Sequence, residues 1–243
     1  MGSLLERFVP ERPHMNVLPL EVPSRSQQAA AQVYEQLRDM ILSLKLAPGA
    51  VLSRADLQRQ FGLSSTPVRD ALMRLDEAGL VEVFPQSGTI VSLIDVPLAR
   101  QAQFLRRAIE QETVRVLAEA PDRVLIERLR GIIREQDSLA KSKNLERFDD
   151  ADLAFHKLLY EAAGVPDLWS LVRHRSGHID RIRRLHLPIG GKANQIVRDH
   201  TAIVDAIEKR EPDLAQAELR GHLSRSLAFS AELRASFPGY FKE

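Results

Sequence analysis

The chain has 243 residues, 44% hydrophobic and 28% charged, enough for two domains with their own cores and for a mainly helical build. It contains no cysteine, which excludes disulfides, thiolate metal sites and cysteine nucleophiles and leaves any metal to histidine, carboxylate or water. The net charge of +1 gives no sign of nucleic acid, and Ser24 to Asp95 holds seven Lys and Arg against eight Asp and Glu, so a DNA-binding reading must rest on where the charges face.

Residues 1–23 contain four prolines and no sustained period, and read as a mobile arm. No apolar run approaches the length of a membrane span, and Glu6, Arg7, Glu11 and Arg12 stand where a signal peptide would be apolar, so a cytoplasmic chain is expected. From Gln28 to Leu46, Val33, Leu37, Met40, Ile41 and Leu44 recur at helical spacing, and Pro48-Gly49 ends the helix. A short second helix runs from Ser53 to Phe61, with Gly62 as its turn. A third starts at Ser64 or Ser65 and buries Val68, Ala71, Leu72 and Leu75. Two β-like runs, Leu80–Phe84 and Thr89–Leu93, flank Pro85-Gln86-Ser87-Gly88 and predict a hairpin. Three helices and a hairpin over residues 24–95 predict a winged helix-turn-helix.

A helix entering the major groove needs apolar residues behind it and polar or cationic side chains at its exposed N-terminal end. Ser64, Ser65, Thr66 and Arg69 meet that requirement, with Arg69 able to grip guanine or phosphate in two-pronged fashion. Arg54 on the preceding helix, and Gln86, Ser87 and Thr89 around Gly88 at the wing tip, are the expected phosphate contacts.

After Asp95-Val96-Pro97 no strand pattern appears. Six helices are predicted, at 98–119, 122–142, 146–163, 166–186, 193–209 and 212–235, forming an all-α antiparallel bundle over 96–235, with 236–243 as a C-terminal tail. Asp152 and His156 are four apart, so they share a helix face with Phe155 and Leu159. His200 heads the apolar stripe Ile203, Val204 and Ile207, and His222 lies beside Leu219 and Leu223. One Asp and three His on inward faces would bind a divalent metal ion, zinc first, with nickel or manganese as alternatives. His174 and His178 are also four apart, but Arg173, Arg175, Arg181, Arg183 and Arg184 on the same stretch disfavour a cation there.

Leu46-Ala47-Pro48-Gly49, Leu52-Ser53, Phe61-Gly62-Leu63-Ser64, Thr66-Pro67-Val68-Arg69-Asp70-Ala71-Leu72 and Gly79-Leu80-Val81 resemble the GntR family of transcription regulators. Ser65 stands where that family usually has arginine, and Arg54-Ala55 where it has Glu-Arg. Asp152-x-x-Phe155-His156, His200-x-x-Ile203-Val204 and His222-Leu223 resemble the FCD effector domain of its FadR-type members, and six effector helices look like the VanR-like branch. The resemblance implies a homodimer on a palindromic double-stranded DNA operator and a small organic acid as effector. It places Asp152, His156, His200 and His222 on the metal-ligand positions and Arg106 on the carboxylate-binding position; His178 or Arg183 is expected to assist Arg106. Two rival readings are a regulator that senses the metal ion itself and a metallohydrolase fused to a DNA-binding module. The second lacks a general base of the His-Glu-x-x-His type, so no enzyme is expected.

Overall fold

The computed structural model describes residues 25–84 and 88–243, so the arm at 1–23 and the wing residues Gln86 and Ser87 lie outside the described residues. The N-terminal part comprises α1 (Arg25–Leu42), β1 (Val51–Leu52), α2 (Arg54–Phe61), α3 (Ser65–Glu77), β2 (Val81–Phe84) and β3 (Gly88–Val91). Ser53 caps α2 by accepting from the Asp56 amide, and Gly62 ends it with φ 64°, a left-handed conformation that needs no Cβ. Ser64 occupies the N-cap of α3, but its side chain makes no capping hydrogen bond. Val33, Leu37 and Ile41 of α1 pack on Val68, Leu72 and Leu75 of α3 in one apolar core. The sheet has one strand more than the expected hairpin. β1 pairs antiparallel with β3 through Val51↔Ile90 and Leu52↔Thr89, giving the order β1-β3-β2. A two-residue strand is too short to carry an alternating pattern.

The helical part comprises α4 (Val96–Glu119), α5 (Arg123–Lys141), α6 (Leu145–Ala162), α7 (Pro166–Arg175), α8 (Gly177–His186), α9 (Lys192–Glu208), α10 (Pro212–Ser224), α11 (Ser230–Ser236) and a 3-10 turn at Pro238–Tyr240. The bundle core lies between α4, α5, α6, α9 and α10 and is built on Val114, Leu129, Phe155, Leu159, Ile203 and Leu219. Eight helices therefore replace the six expected, because two long stretches are broken. The predicted 166–186 helix stops at Ser176, whose hydroxyl bonds back to Arg173 O at 3.0 Å and to Asp180 Oδ2 at 2.6 Å. Gly177 follows, and a Cβ there would stand 2.5 Å from Leu80 Cδ2, so a larger residue would force the Leu80 side chain to shift where α8 approaches the N-terminal domain. The predicted 212–235 helix breaks after Ser224, and α11 turns to lay Leu233 on Ile179 and Ile182 of α8.

The junction between the two parts is packed. Ile94 pairs in parallel with Phe241, donating to Tyr240 O at 2.7 Å and accepting from the Lys242 amide at 2.9 Å, so the C-terminal segment is pinned against the linker. Arg38 of α1 donates to Arg173 O at 3.0 Å. Arg181 of α8, fully buried, donates to Ser92 O at 2.5 Å, Ser92 Oγ at 3.2 Å and Gly177 O at 3.1 Å.

Candidate functional site

Three helix faces meet inside the bundle. Asp152 and His156 project from α6, His200 from α9 and His222 from α10; all four are buried, and one ligand atom from each lies within 4.8 Å of every other. His222 Nε2 is 3.3 Å from both His156 Nε2 and His200 Nε2. Asp152 stands slightly back, 4.0 Å from His156 Nε2 and 3.7 Å from His200 Nε2. The rings are fixed from behind. Nδ1 of His156 lies 2.8 Å from Glu110 Oε2, Nδ1 of His200 lies 2.9 Å from Gln136 Oε1, and Nδ1 of His222 lies 3.2 Å from Asp199 Oδ2. Phe155 stacks on His200 with a 3.8 Å centroid separation.

This arrangement fits a metal. Where Nδ1 faces an oxygen acceptor, as in His200 and His222, Nε2 is left as a bare lone pair, and such lone pairs crowded together repel unless a cation sits among them. Donors bound at roughly 2.0–2.1 Å around a tetrahedral ion stand about 3.3 Å apart, the spacing of His222 Nε2 from the Nε2 atoms of His156 and His200. Asp152 Oδ1 is buried with no hydrogen-bond partner, which an ion would remedy. Burial, with Arg106 nearby, lowers the His156 imidazole to about 4, and burial with His222 lowers His200 well below the usual range, so both are neutral at pH 7. Burial raises the Asp152 carboxyl, but Arg183 and then the three histidines outweigh it and hold it ionised.

The three residues expected to receive an effector fall in different places. Arg106 of α4 is buried and donates to Glu110 Oε1 at 2.6 Å, which ties it to His156 through Glu110; its Nη2 has no partner. Burial pushes the Glu110 carboxyl up, yet Arg106 and His156 together bring it to about 2, and Tyr160 donates to it at 3.3 Å. Arg183 of α8 donates to Asp152 Oδ2 and lies at the cluster. His178 does not. It sits at the domain junction, its Nδ1 accepting from the Asp95 amide at 3.0 Å and its Nε2 facing Gly79, because the break at Ser176 turns this end of α8 toward the N-terminal domain. An effector-binding role for His178 is therefore withdrawn.

Glu110, Gln136 and Asp199 were missed as supports. Gln136 shares the inward stripe of Leu129 and Ile133, a polar residue on an apolar face, and that was its available signal.

On α3, Ser64, Ser65, Thr66 and Arg69 are all exposed, as is Arg54 on α2. Arg54 and Arg69 line one shallow groove with Met73, and neither pairs with a carboxylate among the described residues. Gly88 is half-buried with φ 129°. Thr89 is a correction: the alternation of β3 turns its side chain inward beside Val91, where it is fully buried and out of reach of phosphate.

A winged helix-turn-helix joined to a helical bundle with a polar cluster at its centre is the build of a transcription regulator with an effector domain. Residues 29–91 match the family described as bacterial regulatory proteins, gntR family, and residues 102–225 match the FCD domain. The chain belongs to the GntR family of regulators and carries an FCD domain. It is 37% identical over 86% of its length to an HTH-type transcriptional regulator in an unstable DNA locus of Streptomyces ambofaciens, covering 88% of that protein. It is 28% identical over 90% of its length to the HTH-type transcriptional repressor RspR of Escherichia coli K12, covering 96% of it. The fold matches E. coli McbR/YncC with a TM-score of 0.72 at 18% identity, over 86% of this chain and 98% of that one. The family and these relatives are regulators rather than enzymes. No helix among the described residues is long and apolar enough to cross a membrane.

Proposed function

We propose that this regulator is a cytoplasmic repressor that binds a palindromic operator as a homodimer and responds to a small carboxylate at a divalent metal ion held by Asp152, His156, His200 and His222. The observation that carries the sensing half is the convergence of three Nε2 atoms and one carboxylate in a buried space. When bound, the ion supplies positive charge and open positions for a carboxylate oxygen. Zinc is the first expectation for such a donor set, and nickel or manganese also suit it. Glu110, Gln136 and Asp199 orient the imidazoles, while Arg183 and the free Nη2 of Arg106 offer charge to the ligand.

Exposed Arg69 and Arg54, with Ser64, Ser65 and Thr66 at the start of α3, support groove and phosphate contacts; Gln86, Ser87 and Gly88 extend them at the wing. Homodimerisation is supported by α4, whose outer face carries Leu98, Leu105, Ile109 and Val116 at helical spacing beside Phe104, which is 67% exposed. The route between the two ends is α8. Arg183 on this helix holds Asp152, while Arg181, two residues earlier, holds Ser92 in the segment linking β3 to α4. A ligand that draws Arg183 from Asp152 acts on the helix that also carries Arg181 and its bonds to Ser92, and shifts the operator-binding population only as far as it prefers one arrangement.

Fluorescence anisotropy with duplexes from the promoter region next to its own gene tests this. Metal-loaded protein should bind as a dimer, and a carboxylate found by thermal shift should change that affinity at least about tenfold, within the usual range of coupling. Unchanged affinity at saturating carboxylate refutes the sensing half, and a response to metal alone would make the ion itself the signal.

A further inference from the structure

A cavity opens directly on the cluster. It is lined by the ligand residues Asp152 and His222 together with Arg183, His186, Lys192 and Ser226. Its apolar wall is Phe148, Leu187 and Ile196. Lys192, the first residue of α9, is half-buried there and pairs with no carboxylate among the described residues.

Lys192 is left unpaired because the acids near it have nearer partners. Asp199 is 2.6 Å from Arg225 and 3.2 Å from His222. Asp152 is taken by Arg183 and belongs to the metal cluster. Asp149, the other acid lining the cavity, faces Arg184 at 3.9 Å, and burial raises its carboxyl to about 6. A half-buried ammonium with no carboxylate partner among the described residues is held by solvent alone and is free to meet an anion entering the cavity. It lies on the wall of a cavity that already offers a guanidinium.

We propose that Lys192 makes this cavity selective for a short dicarboxylate, with Arg183 taking the carboxylate nearest the metal cluster and Lys192 the far one. The inference rests on the carboxylate-sensing reading above and names the ligand class for it. The free space is only ≈ 20 Å³, room for about one water. Entry therefore requires a lining side chain to move, and Arg183, which faces Asp152 and, at 3.7 Å, Asp180, is the one that would lose a partner if Asp152 ligated an ion. A short ligand with charge at both ends satisfies Arg183 and Lys192 together. A monocarboxylate leaves Lys192 as it stands.

The test uses the full chain loaded with zinc, titrated calorimetrically with propionate and butyrate and with malonate, succinate and glutarate. The best dicarboxylate should bind at least about tenfold more tightly than the monocarboxylate of equal chain length, as one added charge-assisted hydrogen bond implies. Lys192→Met should abolish that preference, and Lys192→Arg should retain it. Zinc content measured on each variant keeps metal loss from imitating the effect. Equal affinity for both classes in the parent protein, or a preference that survives in Lys192→Met, overturns the assignment of Lys192 alone. If no carboxylate of either class binds the zinc-loaded parent, the sensing reading itself falls and this inference falls with it.

Discussion

Arg69 and His200 stand for two ways in which a site can be built. Arg69 is exposed on α3, pairs with no carboxylate among the described residues, and needs nothing from its neighbours except that Val68 and Leu72 behind it be buried. His200 is fully buried, stacked on Phe155, backed by Gln136 and faced by His222. A surface site is thus one residue deep and can change without disturbing the fold. An interior site is a network whose polar atoms depend on one another for partners, so binding and stability are closely linked there.

The largest expected effect breaks the interior network. Chelation of metal-loaded protein should lower its unfolding free energy by about 4 kcal/mol at a metal concentration a thousandfold above Kd. His200→Ala should abolish the chelator response and reduce bound metal from about one per chain to none, read by elemental mass spectrometry. A chelator shift of equal size in His200→Ala would place the metal elsewhere.

Acid should act on the junction next. Burial, with Arg181 beside it, lowers the His178 imidazole to about 4 against 6.5 for the free residue; Asp95 opposes this and Lys242 reinforces it. Between pH 6.5 and 4 the unfolded chain binds a proton at His178 that the folded chain refuses. Stability is therefore full above about 6.5 and lost as pH falls, by up to about 3 kcal/mol. His156 and His200 add losses of the same sign. His178→Asn, which keeps an acceptor for the Asp95 amide, should remove only the His178 share in urea melts at pH 7.5 and 5.0. A loss identical to that of the parent protein would contradict it.

Arg69→Ala turns to the surface. Operator affinity should fall by about 1–3 kcal/mol, while metal content is unchanged and stability moves by less than about 0.5 kcal/mol. Anisotropy and thermal melts on one preparation separate the two, and a destabilised Arg69→Ala would erase the contrast between surface and interior.

The same contrast governs what could be read in the sequence. The helices of the DNA-binding domain carry their own punctuation, Pro48-Gly49, Ser53, Gly62, Ser64 and Gly79, and the face of α3 follows from its apolar stripe, whereas the two-residue β1 carries none. Asp152, His156, His200 and His222 were legible because each sits among apolar residues at helical spacing. Their convergence depends on how α6, α9 and α10 cross, which no local pattern encodes. His178 shows the cost. The Ser176-Gly177 break was written in the residues, yet its meaning, a close approach to Leu80 from the other domain, exists only in three dimensions. Glu110 and Asp199 stand next to recognised positions, but a charged residue on a helix is ordinarily solvated, and only a packed neighbour turns it inward.

The smallest expected effect concerns Thr89, where a residue placed on the surface by its position in the wing belongs to the interior. Its hydroxyl is buried with no hydrogen-bond partner among the described residues. Threonine and valine have nearly the same shape, so Thr89→Val exchanges an unsatisfied oxygen for a methyl group without opening a cavity. Leaving a polar atom unpaired is what costs free energy, and removing it should be neutral or stabilising by up to about 1 kcal/mol. Operator affinity should stay within about twofold, since no phosphate reaches a side chain in that position. A tenfold loss of affinity in Thr89→Val would mean that the wing opens on DNA and exposes β3, and the division between a shallow surface site and a deep interior one would then fail at this strand.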